Sequence, residues 1–592
     1  MPSASSSDFD VAIVGGGPAG STCGTLLRNY SPALRVAIFE RERFPREHVG
    51  ESQLPGLNPV LQEMGVWDAV EAANFPIKIG ATYRWGQDKS LWDFEFLPLS
   101  EVVDESRPAK FEGWRTKTAF QVDRAVYDKI LLDRASELGC EVFTETKIVE
   151  VMRSGDRVEG LRVDGGRSVT ARHYVDATGA SGFLRRAMDV QALVTPSLKN
   201  VAIWDYWENA AWAVEIGVGG TRVQILSLPY GWLWFIPLGP TRTSVGLVMP
   251  ANDLKRTGQR PEDLYRRALE EEPRIRELLT GATREGRVRT TKDWSFVAER
   301  CSGENYFLAG EAAGFADPIL SAGMTISQMG ARELAYTLLE LERGEHDAAW
   351  LKETYGRQQH NRVMQHIRFA DFWYTQNGCF TDLKEATARL ARESGYDMDA
   401  NEAFRWFASG SFSTDNATSS VANHGMGTAK YLAQLMSGST LHWEVARYSR
   451  FRADLQGATP GEMAEYVDGR IERMRSYHRG AKTLKMTNVN ELIFNALGVS
   501  GKATFMMNAI AEHLGRFMGL EEGRERIFRV IEAMEGLLLE GWIVGEAVPG
   551  EPRINMTTPT EPGPRIHPND DPLPPRPRIE EALLPPKEPA LV

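Results

Sequence analysis

The chain has 592 residues, 42% of them hydrophobic, with 68 lysines and arginines against 80 aspartates and glutamates, a formal charge of −12. That length and apolar share provide for roughly two to four folded domains and exclude a disordered, collagen-like or disulfide-scaffold protein. The acidic balance lacks the basic face that phosphate-backbone binding needs, so no nucleic-acid partner is expected.

The first segment, MPSASSSDFDVAIVGGG, carries no basic region ahead of its apolar stretch and does not read as a signal peptide. No apolar run reaches the roughly 18 residues that cross a bilayer. Cys23, Cys140, Cys301 and Cys379 form no CxxC pair. The expectation is a cytoplasmic protein with no membrane partner, no metal site and no disulfide framework.

In chain order, Phe9–Val14 reads as a short buried strand, GGGPAG as a turn, the stretch to about Asn29 as a helix, and Arg35–Glu40 as a second strand. Strand, glycine turn, helix and strand within about 30 residues form a βαβ unit. Strand-like segments recur at Glu141–Phe143, Arg157–Val163 and Tyr174–Asp176. Between about residues 190 and 250, VAIWDYW, AVEIGVG, RVQILSL, WLWFIPL and SVGLVMP follow one another at the spacing of an antiparallel sheet. From Ala331 to about Val544 the pattern is mostly helical, with apolar residues at i, i+3 and i+4 in ELAYTLLELERG and RERIFRVIEAMEGLLLEGW. Residues 551–592 hold 12 of the chain's 31 prolines and little to bury, the composition of an extended or disordered tail.

Gly15, Gly17 and Gly20 form GxGxxG directly after a strand, with Pro18 and Ala19 opening the helix. The first glycine permits the tight turn, the second lets the backbone approach a pyrophosphate, and the third lets helix and strand pack closely. The diphosphate then rests on free N–H groups of the helix N-terminus. Glu40, 20 residues past Gly20, is placed to accept hydrogen bonds from ribose hydroxyls, with Arg41 beside it.

Later segments separate the dinucleotides. FLAGEAAG at 307–314, then Asp317-Pro318 and Ser321–Met324 ahead of a helix, resembles the second flavin fingerprint of the FAD monooxygenase superfamily. Asp176-Ala177-Thr178-Gly179 resembles that superfamily's intermediate segment, and Arg124 stands where such proteins often place an arginine near the flavin. The resemblance covers roughly residues 9–335. It implies FAD bound by Gly310, Glu311, Asp317, Pro318, Gly323 and Met324 as well as by the first loop. Glu311 departs from the usual aspartate, and its longer side chain alters the expected ribityl contact.

Within that superfamily, Gly231–Pro237 contains WxWxIP, which resembles the signature motif of flavin-dependent halogenases. There the two indoles keep an organic substrate away from the reactive flavin, so Trp232, Trp234, Ile236 and Pro237 are expected to line a tunnel. Alternation places Trp232 and Trp234 on one side of a strand in any case, which also suits a plain core. Lys78, in FPIKIGA, matches the lysine that the family needs between flavin and substrate. Burial lowers a lysine's pKa, favouring the neutral amine that haloamine formation needs. The GESQLP loop around Ser52, and ATYRWGQD after Lys78, resemble the chloramphenicol-type halogenases. After Pro318 the chain reads Ile319-Leu320-Ser321, without the glutamate of tryptophan halogenases, which resembles the branch acting on phenols, pyrroles or carrier-tethered acyl groups.

The resemblance implies an α/β enzyme: an FAD-binding Rossmann-type domain of the aromatic-hydroxylase kind with an inserted antiparallel β-sheet, plus a mainly α-helical C-terminal domain. The expected divisions are 1–340 (with β-rich insertions at about 75–115 and 190–290), 341–548 and a proline-rich tail at 549–592. It further implies FADH2 from a separate flavin reductase, with O2 and chloride or bromide as co-substrates. The halide is expected near Ser321, Ala322 and Gly323, with Ser321 and Lys78 as catalytic residues. Hypohalous acid made at the flavin would reach Lys78 and halogenate an electron-rich carbon of a natural-product precursor, held on a carrier protein or, as the runner-up, free. The alternative is an FAD hydroxylase or reductase. Asp293 is a candidate for covalent flavin attachment, or an ordinary strand-end aspartate. Phe369, Phe372-Trp373-Tyr374 and Phe404–Phe407 are aromatic clusters that suit a pocket or a core, and Arg470–Arg479 reads as a solvated helix face.

Overall fold

The structure, a computed structural model, describes residues 7–86, 90–97, 99–103, 105–213, 215–216, 219–375, 442–480, 482–515, 520–554 and 565–568. The βαβ unit consists of Phe9–Val14, Pro18–Tyr30 and Val36–Phe39. Val11, Ala12 and Ile13 are fully buried, as expected of a parallel strand covered on both faces. Five parallel strands stand in the order Tyr306–Leu308, Ala171–Asp176, Phe9–Val14, Val36–Phe39 and Glu141–Phe143. Helices Pro18–Tyr30 and Gly323–Arg343 pack against each other over this sheet.

The β-rich segments combine into a second, larger sheet. Its order is Gly314–Phe315, Arg289–Ala298, Ala192–Glu208, Arg242–Pro250, Gly231–Pro237, Gly220–Leu228, Ile77–Arg84, Trp92–Glu95 and Arg565–Pro568. Neighbours are antiparallel except Gly220–Leu228 with Ile77–Arg84. Period-two alternation divides its side chains cleanly. Ile203, Leu226, Leu233, Phe235, Val245 and Leu247 face one way, onto helices Pro261–Glu271 and Pro273–Leu278. Trp204, Tyr206, Val223, Ile225, Trp232, Trp234 and Ile236 face the other. Trp204, Tyr206, Val223, Ile225, Trp232, Trp234 and Ile236 share a core with Ile326, Val363 and Ile367 from helices Gly323–Arg343 and Ala348–Thr375.

One expectation, a helix face at Arg470–Arg479, is corrected. The boundary at 340 falls inside helix Gly323–Arg343. The C-terminal part keeps its helices (Asn488–Val499, Ala503–Gly515 and Leu520–Glu540) but adds a three-stranded antiparallel sheet of Thr459–Val467, Arg470–Arg479 and Lys482–Lys485. Arg470–Arg479 is therefore a strand and not a helix face. The cause is Asp468-Gly469, both at positive φ, the two-residue hairpin turn that fixes the register on either side. From the tail, Arg565–Pro568 forms an edge strand on Trp92–Glu95.

A buried ionic cluster holds the Ile77–Arg84 strand in place. Arg222 Nη1 donates to Asp93 Oδ2 at 2.7 Å and Nη2 to Glu95, while Thr82 Oγ1 donates to Asp93 Oδ1 at 2.6 Å. All four residues are almost fully buried, and removing one member of such a group leaves the remaining charges unpaired in a poor solvent. Arg222→Met is expected to destabilise the protein by about 3–5 kcal/mol, read as a lower thermal or denaturant midpoint.

Candidate active site

The glycine loop is built for a close-approaching ligand. Gly15 has φ +108°, and a Cβ there would lie 2.3 Å from the Ala177 carbonyl oxygen; one at Gly20 would lie 1.9 Å from the Gly15 oxygen. No side chain caps helix Pro18–Tyr30 at Gly17, so its first N–H groups stay free for an anion. Beside Gly17 lies Arg46, whose Nη2 is 3.3 Å from where a Cβ would sit and whose buried Nη1 has no hydrogen-bond partner. An orphaned guanidinium nitrogen at an uncapped helix end fits a diphosphate. Glu40 accepts the N–H groups of Gly16 and Glu42, each at 2.8 Å, and so shapes the loop. Arg41 is exposed.

The second fingerprint meets the first. A Cβ on Gly310 would be 2.9 Å from Ala19 and 2.6 Å from Ser327 Oγ, so only glycine lets these segments touch. Glu311 is half-buried, with Oε2 3.6 Å from where a Cβ on Gly179 would sit, and desolvation raises its pKa. Asp176 accepts the Thr178 N–H and hydroxyl through Oδ1 and the Arg185 N–H through Oδ2, so it fixes its own turn. Arg124 is paired with Asp128 at 2.7 and 2.9 Å and donates to the Val49 and Gly50 carbonyls.

Asp317 caps the short turn Pro318–Leu320 by accepting the Ile319 N–H at 2.9 Å; Asn200 and the Tyr374 hydroxyl also donate to it, at 3.2 and 3.1 Å. Burial raises its pKa, with Asp371 adding to the rise. Ser321 follows at φ +56°, half-buried, and Ala322, Gly323 and Met324 open helix Gly323–Arg343 with no side-chain cap. Asp293 lies within strand Arg289–Ala298, opposite Asn200, and not at its end; its side chain lies outside the described residues.

Lys78 is on the tryptophan face of the large sheet because of a β-bulge. The register runs Ile77 to Gly220 and Lys78 to Thr221, then skips to Gly80 with Arg222. The extra residue turns Lys78 onto the face of Thr221, Val223 and Ile225, and Ile225 is the partner of Trp234. The lysine is 2% exposed, donates to the Gln53 carbonyl at 3.0 Å and lies 5.6 Å from the Phe96 ring centre. No carboxylate among the described residues pairs with it, and burial pulls its pKa down to about 7. Gln53 belongs to the loop around buried Ser52, which Arg242 and Arg289 hold through Glu47, at 3.1 and 2.8 Å, and Tyr206 through Glu51, at 2.9 Å. Burial pushes Glu51 up to about 7.

Trp232 and Trp234 are buried on this face with ring centres 6.1 Å apart. Pro237 ends their strand. Phe369, Trp373 and Tyr374 from helix Ala348–Thr375 close over them: Trp85 Nε1 donates to the Trp373 carbonyl and Trp232 Nε1 to the Tyr374 hydroxyl. The Phe372 side chain and Phe404–Phe407 lie outside the described residues. The sequence did not single out Arg46, Asn200, Tyr206 or Ser244. The partners of the first three come from distant segments, and no local spacing marks any of the four.

A family model described as FAD binding domain matches residues 8–370. The chain is 33% identical over 359 residues to a tryptophan 2-halogenase of Chondromyces crocatus, covering 59% of this chain and 65% of that one, just under two-thirds of its length. It is 31% identical over 389 residues to a 1H-pyrrole-2-carbonyl-[peptidyl-carrier protein] chlorinase of Pseudomonas fluorescens, covering 63% and 85%. Among solved structures, the flavin-dependent halogenase CmlS superposes with a TM-score of 0.68 at 25% identity, over 93% of this chain and 99% of that one. The myxobacterial chondrochloren halogenase CndH gives 0.57 at 26%, over 72% and 97%.

Two outcomes follow from the geometry. Gly20→Ala, whose Cβ collides with the Gly15 carbonyl, is expected to abolish FAD binding in a fluorescence titration. Lys78 has a folded pKa of about 7, below the unfolded value of about 10.4, so its burial opposes folding as pH falls from about 10 to 7 and not above. Lys78→Met is therefore expected to raise the melting temperature at pH 7 and leave it nearly unchanged near pH 10.5.

Proposed function

The chain belongs to the flavin-dependent halogenases, FAD enzymes of the FAD-binding domain family, and we propose that it uses FADH2, O2 and chloride or bromide to halogenate an electron-rich carbon through Lys78. Bound in the glycine cradle, reduced flavin supplies the oxygen activation that turns a halide into hypohalous acid. The protein's own part is to hold, separate and deliver. Gly15, Gly17, Gly20 and Arg46 hold the diphosphate, and the turn from Asp317 to Met324 offers free N–H groups to the halide. Trp232 and Trp234 stand as the wall that keeps substrate from the flavin.

The observation that carries this reading is the amine of Lys78, buried on the tryptophan face with no counter-charge among the described residues. With a pKa of about 7, much of it is neutral at physiological pH, and its lone pair can take the halogen from hypohalous acid. The amine's proton leaves with the hydroxide as water; when the substrate carbon attacks the halogen, the N–halogen bond breaks with its electron pair on nitrogen, and the proton that the carbon gives up balances the one that restores the amine. A carbon attached to a carrier-bound acyl group fits best, because the Pseudomonas relative is by its name a chlorinase of a carrier-bound pyrrole and no acid follows Pro318. A separate reductase supplies the FADH2.

Lys78→Ala is expected to oxidise FADH2 within about twofold of the normal rate and to form at least about 100-fold less halogenated product, the pattern of a group needed only for transfer. Product formation by the unaltered enzyme should rise between about pH 6 and 8 as the amine loses its proton. Product measured by mass shift, retained in Lys78→Ala, would overturn the assignment.

A further inference from the structure

Each tryptophan of the WxWxIP strand donates its indole N–H to one buried hydroxyl. Trp232 Nε1 donates to the Tyr374 oxygen at 2.7 Å, and that hydroxyl donates to Asp317. Trp234 Nε1 donates to Ser244 Oγ at 3.0 Å. The second tether follows from strand register. Ser244 is paired with Ile236, so it sits diagonally from Trp234 on the same face of the sheet. Directly opposite Trp234 stands Gly246, where a Cβ would come within 2.1 Å of the indole ring. The ring therefore lies on bare backbone, with its one polar atom fastened at the edge. Ser244 is fully buried and Trp234 only 6% exposed, so this bond has no water to replace it.

We propose that Ser244 and Gly246 are positioning residues for halogenation: the hydroxyl fixes the direction of the Trp234 indole, and the glycine fixes its depth, so that the ring is a rigid wall between the flavin side and the Lys78 side. Neither residue touches the reacting atoms. They act by denying the indole the other rotamers that a free tryptophan would sample. A displaced ring opens the passage and lets hypohalous acid escape before it reaches Lys78. The inference rests on the halogenase reading above.

The test uses the full-length, FAD-loaded enzyme with FADH2, O2 and bromide, and monochlorodimedone as the trap for free hypohalous acid. In Ser244→Ala and Gly246→Ala, trapped halogen per FADH2 oxidised is expected to rise about fivefold or more, the size of one lost buried hydrogen bond. FAD affinity by fluorescence titration should stay within about twofold, since neither residue contacts the cradle. Ser244→Thr, which restores the hydroxyl, should return the leak toward normal. In a Trp234→Phe background, which lacks the indole N–H, Ser244→Ala should add nothing, as two changes on one interaction are not additive. A leak unchanged in both single variants, or an equal effect of Ser244→Ala with and without the indole N–H, overturns the proposal. If neither the unaltered enzyme nor any variant gives trapped halogen, the halogenase reading fails instead. Exchange of the Trp234 indole proton, followed by 15N NMR and assigned by its loss in Trp234→Phe, then decides the positioning role alone: faster exchange in Ser244→Ala supports it, and equal exchange refutes it.

Discussion

An amine kept out of water with no opposite charge beside it opposes folding, because the protonated form it prefers in solvent cannot be solvated inside. Lys78 is such an amine, and much of the surrounding architecture is what keeps it there. A single extra residue in its strand turns the side chain from the ionic face of the sheet to the aromatic one. The Arg222–Asp93–Glu95 cluster begins at the first pair after that irregularity and locks the register. Without the bulge, period-two alternation would aim the lysine toward those carboxylates, where it would remain an ordinary cation. The placement of this amine thus depends on a backbone irregularity one residue long.

The loop from Glu47 to Gln53 ties the two halves of the site together. Arg242 and Arg289 take its first residue, Arg124 the carbonyls in its middle, Tyr206 its buried glutamate, and Lys78 its last carbonyl. Arg124 belongs to the helix packed near the nucleotide loop, and its partner Asp128 also pairs with Arg46 beside Gly17. Loop, nucleotide cradle and buried lysine are therefore held by one set of contacts.

What could be read from the sequence was local. The glycines of the nucleotide loop are forced by a positive φ and by contacts that leave no space for a methyl group, and such requirements show directly as residue type and spacing. WxWxIP is legible because two rings on alternate strand positions must share a face. The partners were not legible. Asn200 and Tyr374 meet Asp317 and Trp232 only once strands and a helix far apart in sequence are assembled, and Ser244 meets Trp234 only through the register of the hairpin that joins their strands. The hairpin at Asp468-Gly469 was legible in principle, since Asp-Gly between alternating residues is a strong turn signal, but the helical pattern on both sides masked it. Periodicity cannot show a bulge, because the bulge is a break in periodicity, and so the orientation of Lys78 had to come from the structure.

The short tail segment Arg565–Pro568 has a consequence of its own. The large sheet would otherwise end at Trp92–Glu95, a strand whose neighbours in sequence, Phe96 and Leu97, are also apolar. A bare edge of that kind presents a row of unsatisfied amides to any passing chain and invites intermolecular strand pairing. By lying along it antiparallel, the tail occupies those amides within its own molecule. Pro568 at its end has no N–H to donate to a further neighbour. The terminus thus acts as a selvage that stops the fabric from growing, and it bears on the solubility of the protein quite apart from anything the enzyme does to its substrate.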